Sequence, residues 1–100
     1  MTIDHPLALG AEKTFRRGFG AVLRIAPDGL PAFDIDGRGE TCVIRAASDA
    51  IPQCLWRANA ETLNRIFEGG RALESAYLSG RLQIAGDISV MARLLLESAR

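Results

Sequence analysis

Leu7, Ala11 and Phe15 recur at a spacing of four, with Lys13, Arg16 and Arg17 off that line, which predicts a first helix with one apolar stripe. Pro6 suits its first turn, and Gly18 and Gly20 end it. The period then changes to two. Ala21 to Ile25 and Ala32 to Asp36 flank the turn residues Pro27, Asp28 and Gly29, and Phe33 and Ile35 alternate with Asp34 and Asp36. That pattern predicts a β-hairpin with Phe33 and Ile35 facing inward. Gly37 to Glu40 make a second tight connection to another β-rich run, Thr41 to Ala46, so the three strands form a meander. Beyond Ser48, Asp49 and Pro52, the run Cys54 to Ala58 reads as a fourth strand.

Helical spacing returns after Asn59, a capping residue type, with Leu63, Ile66 and Phe67 on one face and Gly69-Gly70 as the stop. A shorter helical segment, Ala72 to Leu78, carries Leu73, Ala76 and Tyr77 and stops at Gly80. Arg81 to Ile84 alternates as a fifth strand and Gly86 breaks it. Asp87 then caps a last helix from Ile88 to near Ala99. In that helix Ile88, Met91, Ala92, Leu95 and Ala99 form one stripe, and Leu94 and Leu96 widen the apolar arc to roughly 200°. Ser89, Arg93 and Glu97 face outward. So wide an arc is either wedged within the core or has a flank to offer a ligand or a second copy of the chain, as in a homodimer.

No internal repeat or linker divides the sequence, and 100 residues suit one domain with one core, residues 1–100. Twelve basic and twelve acidic side chains cancel, which argues against a nucleic-acid partner. Eleven of the basic residues are Arg, scattered at positions that alternation assigns to solvent, so they read as a solvated face rather than an anion site. No apolar run is long enough to span a bilayer, and Met1 to Pro6 has neither the basic start nor the apolar stretch of a secretory signal. Cys42 and Cys54 do not form a C-x-x-C pair and read as small buried apolar residues. The cytoplasm is the expected compartment.

Chemistry is sparse. The one histidine, His5, sits in the amino-terminal tail, far from serving as the base of a nucleophilic triad. One histidine and two separated cysteines do not give zinc-ligand spacing, so no metal and no cofactor is expected. Gly18/Gly20 and Gly37/Gly39 fall short of G-x-G-x-x-G and read as turn glycines. Asp34 and Asp36 share one strand face, where two carboxylates can hold a cation or share a proton; beside a turn on an outward face, solvation is the favoured reading. No catalytic residue is assigned, and the chain is not expected to be an enzyme.

From Trp56 onward the order of signals is distinctive. Gly69-Gly70-Arg71 is followed by Ala76-Tyr77-Leu78-Ser79-Gly80-Arg81-Leu82-Gln83-Ile84-Ala85-Gly86-Asp87 and then by Arg93-Leu94. Over roughly the last 45 residues this resembles the sterol carrier protein type two domain, as a small stand-alone bacterial-type member. The resemblance implies an α+β fold: a curved, mostly antiparallel five-stranded sheet with helices on one face and an apolar tunnel between the layers. It implies non-catalytic carriage of a lipid-like ligand, whether fatty acyl chain, sterol or prenylquinone. Ile66, Phe67, Leu73, Tyr77, Ile84, Met91 and Leu95 are the candidate tunnel residues, with Tyr77 adding a polar tip. Where the family often has Ala in the middle of the last helix, this chain has Met91, a longer side chain able to fill part of the cavity. An alternative within the same resemblance is an accessory or scaffold protein that presents a lipid intermediate to biosynthetic enzymes, as bacterial relatives do in ubiquinone biosynthesis.

Overall fold

The computed structural model describes residues 6–69, 71–87, 89 and 90. These form, in order, α1 (Ala8–Thr14), β1 (Val22–Pro27), β2 (Phe33–Asp36), β3 (Val43–Ala46), β4 (Cys54–Ala58), α2 (Ala60–Glu68), α3 (Ala72–Leu78) and β5 (Gln83–Gly86). The strands make one sheet in the order β3-β2-β1-β4-β5. β1 pairs antiparallel with β2, and β2 with β3, so the expected meander is present. β4 joins the far side of β1 in parallel and β5 pairs antiparallel with β4. The sheet is therefore mixed and mostly antiparallel.

Alternation sorts the strands into two faces. Ile44, Ile35, Leu23 and Cys54 lie in register across one row of the inner face, and Phe33, Ile25, Trp56 and Ile84 across the next. All but Ile84 are buried. The helices supply the matching layer through Leu7, Ala8, Ala11, Leu63, Ile66, Phe67, Leu73 and Ala76, all buried. Asn59 caps α2 as its residue type predicts, its side-chain oxygen accepting from the Thr62 N–H at 2.8 Å. The Thr14 hydroxyl ties α1 to α2 by donating to the Phe67 carbonyl at 2.7 Å.

The structure corrects several expectations. α1 stops at Thr14, yet Phe15 just beyond it remains buried with the stripe. β5 begins two residues later than alternation suggests because Leu82 donates its N–H to the Ala76 carbonyl and is held by the turn instead of the ladder. Gly18 and Gly37 are close-approach glycines rather than simple turn formers. A Cβ on Gly37 would sit 2.4 Å from the Phe19 ring, and one on Gly18 would sit 1.8 Å from the Gly39 carbonyl oxygen. Their bareness lets residues 17–20 run against residues 37–41, with Gly18 N–H bonded to Glu40 O and Phe19 N–H to Gly37 O.

Asp34 is on the outward face of the sheet, as expected, but it is not solvated: its side chain is 3% exposed. Residues 47–53 must carry the chain from β3 past β2 and β1 to β4, a traverse of roughly 14 Å at ordinary strand spacing. They do so over this outward face. Arg24 lies beneath them, bonded to Asp34 through Nε (2.8 Å) and a terminal nitrogen (3.2 Å) and to the carbonyls of Ser48 (2.7 Å) and Ala50 (3.0 Å). Asp36 is likewise paired, with Arg38 and Arg45. Arg24, Arg38 and Arg45 are thus members of ion pairs and not merely a solvated fringe.

Candidate functional site

The inner face of β4 brings the layers together. Trp56 is fully buried there, and Phe15 meets its ring edge-on with centroids 5.9 Å apart. Phe15 makes a second edge contact, also at 5.9 Å, with Phe67 on α2, and a tilted one with Phe19 at 6.2 Å. One aromatic side chain from the end of α1 therefore touches the sheet, α2 and the glycine seam at once, in the offset geometries that ring quadrupoles favour. Trp56 pairs in register with Ile84 on β5, the edge strand. Ile84 is only partly buried, so the apolar row loses its cover at this edge.

The candidate tunnel residues divide accordingly. Ile66, Phe67 and Leu73 are buried between the helices and the sheet. Ile84 stands at the edge of that layer and also borders a surface recess of about 280 Å³ with Leu55, Arg57, Gln83 and Ala85. Tyr77 is 40% exposed, on the outward side of α3, beside Leu78. Met91 and Leu95 lie outside the described residues, as does most of the predicted last helix. At its start, Asp87 accepts from the Ser89 N–H at 2.9 Å and from the Ser89 hydroxyl at 2.7 Å, the pattern of a capping aspartate. Val90 is fully buried, which the stripe drawn from sequence did not include.

Two polar features belong to this region. Cys54 lies on the same strand face as Trp56, and burial pushes its thiol pKa up. Cys42 is only partly buried, contrary to the sequence expectation; its thiol donates to the Arg17 carbonyl, and burial, reinforced by the Asp36 carboxylate, pushes its pKa up to about 11. Neither is held as a nucleophilic thiolate. The second feature is the Trp56 indole N–H, which has no hydrogen-bond partner among the described residues. Among those residues no group of His, Cys, Asp and Glu is placed to hold a metal ion, and no helix is long and apolar enough to cross a membrane.

Comparison with known proteins decides the family, since the SCP-2 sterol transfer family matches residues 10–95. The chain belongs to the SCP-2 sterol transfer family. Solved structures share its fold. A protein titled UbiJ-SCP2 Ubiquinone synthesis protein superposes with a TM-score of 0.67 at 20% identity, covering 96% of this chain and 81% of its own. Sterol Carrier Protein 2 Like 2 from Aedes aegypti gives 0.62 at 20% identity, covering 78% and 73%. Sterol Carrier Protein 2 from Yarrowia lipolytica, in its apo form, gives 0.59 at 13% identity, covering 90% and 81%. No curated protein sequence matches the chain.

Proposed function

We propose that this SCP-2 chain, acting as one domain over residues 1–100 in the cytoplasm, binds and carries an apolar, lipid-like molecule without transforming it. The observation that carries the reading is membership of a sterol transfer family. The geometry supports it: helices lie over a largely apolar sheet face, and that face loses its cover at Ile84. Ile66, Phe67, Leu73, Tyr77, Ile84, Met91 and Leu95 are the residues to which ligand contact is assigned. Tyr77, exposed on α3, serves at the mouth and not within the layer.

The test is saturable displacement of a fluorescent fatty acid by unlabelled fatty acid, sterol or prenylquinone. Ile84→Glu, at a partly buried position on the edge strand, is expected to abolish binding while the circular dichroism spectrum stays unchanged. Absence of saturable binding to the wild-type chain for all three classes overturns the reading. A second reading, an accessory protein that presents a lipid intermediate to biosynthetic enzymes through protein-protein contacts, is favoured by the fold shared with the ubiquinone synthesis protein. Its mark is a stable complex with such an enzyme that survives size-exclusion chromatography without bound lipid.

A further inference from the structure

The one tryptophan of the chain is fully buried, its indole N–H has no partner among the described residues, and it lies one strand inside the half-buried edge at Ile84. Buried donors are nearly always satisfied, because an indole N–H stripped of water and given nothing in return costs stability. A phenylalanine would fill a similar place without that cost. The Cys54 sulfur, two residues back on the same strand face, lies beside the indole but is a weak acceptor; the rings around it, Phe15 and through it Phe67, offer apolar contact and no side-chain acceptor. Phe33, Ile25 and Ile84, which share its row, offer none either.

We infer that the Trp56 indole N–H is the polar anchor of the binding site, donating a hydrogen bond to a carbonyl-type oxygen of an otherwise apolar ligand. This rests on the carrier reading and narrows its ligand class to chains bearing a ketone, ester, acid or quinone oxygen, as against plain hydrocarbon. The oxygen sits at β4, and the hydrocarbon extends from it between the helices and the sheet past Phe67 and Ile84. A hydrogen bond made in a desolvated site to a donor already unsatisfied is expected to tighten binding about tenfold.

Because Trp56 is the sole tryptophan, a proton–nitrogen correlation spectrum contains one indole cross-peak, and it reports on this donor alone. The probes are methyl undecyl ketone and tridecane, similar in length and differing in the oxygen, with Ile and Leu methyl signals recording binding independently of the indole. The ketone is expected to move the indole proton downfield and to bind about tenfold more tightly than tridecane. In Trp56→Phe the two probes are expected to bind within about twofold of each other. Equal affinities in the wild type with an unmoved indole signal overturn the inference and leave the carrier reading standing. So does an indole proton shielded by an aromatic face and unmoved by either probe. If neither probe perturbs the methyl signals, the anchor inference is overturned; the carrier reading fails with it only when fatty acid, sterol and prenylquinone also show no saturable binding.

Discussion

Replacing Asp34 by Ala tests whether the ion pair beneath the crossing segment holds the sheet in its observed order. The substitution removes two hydrogen bonds from Arg24, at 2.8 and 3.2 Å, and a longer one from the Ser48 N–H at 3.4 Å. Hydrogen bonds to a charged group contribute about 1.5–3 kcal/mol each. The Arg24 side chain is 20% exposed, so water recovers part of that, and the lower end of the range gives about 3 kcal/mol for the two. With a urea slope near 1 kcal/mol per molar, the unfolding midpoint falls by about 2–3 M. Arg24→Ala is expected to cost at least as much, since it leaves the Asp34 carboxylate buried without its guanidinium and also frees the Ser48 and Ala50 carbonyls. The double variant should lose less than the sum by about 1.5–3 kcal/mol. The assay is equilibrium urea unfolding followed by far-ultraviolet circular dichroism. A loss below about 0.5 kcal/mol for Asp34→Ala, or strict additivity in the double variant, refutes the argument.

Three further outcomes follow from local geometry. Phe15→Ala removes the ring that touches Phe19, Trp56 and Phe67 and is expected to cost about 3–5 kcal/mol in the same unfolding assay; a loss under 1 kcal/mol means the aromatic contacts hold little together. Gly37→Ala drives a Cβ against the Phe19 ring and should cost about 1–3 kcal/mol, with the relief variant Gly37→Ala/Phe19→Ala recovering part of that specific clash. Asp36 has its pKa lowered well below the usual carboxylate range, chiefly by the Arg38 hydrogen bond, so its contribution is present above about pH 4 and is lost as the pH falls through the depressed folded value. Asp36→Asn should therefore flatten the acid limb of stability against pH, and an unchanged limb contradicts the assignment.

Much of the fold is legible because local periodicity and the inner face agree. Phe33 and Ile35 alternate with aspartates and are buried; Leu63, Ile66 and Phe67 recur at helical spacing and are buried. Non-local facts are not legible in this way. Alternation puts Asp34 on the outer face but says nothing of residues 47–53 crossing over it. The parallel pairing of β4 with β1 joins segments about thirty residues apart, with no turn chemistry between them to announce it. Val90, fully buried, lies outside the apolar stripe that helical spacing draws, and Tyr77, which spacing groups with Leu73 and Ala76, is 40% exposed on α3. Among the site residues, the burial of Ile66, Phe67 and Leu73 was readable from pattern. The unpartnered indole of Trp56 is not, since it depends on which acceptors the described residues bring to β4, where the Cys54 sulfur is only a weak one.

The central claim, that the chain carries an apolar ligand, is tested most directly by native mass spectrometry of the purified protein followed by organic extraction of whatever accompanies it. The account predicts a one-to-one adduct, released as an acyl, sterol or prenylquinone species bearing an oxygen acceptor and lost in Ile84→Glu. A clean ligand-free mass that does not shift when fatty acids, acyl-CoA, sterols or prenylquinones are added contradicts it.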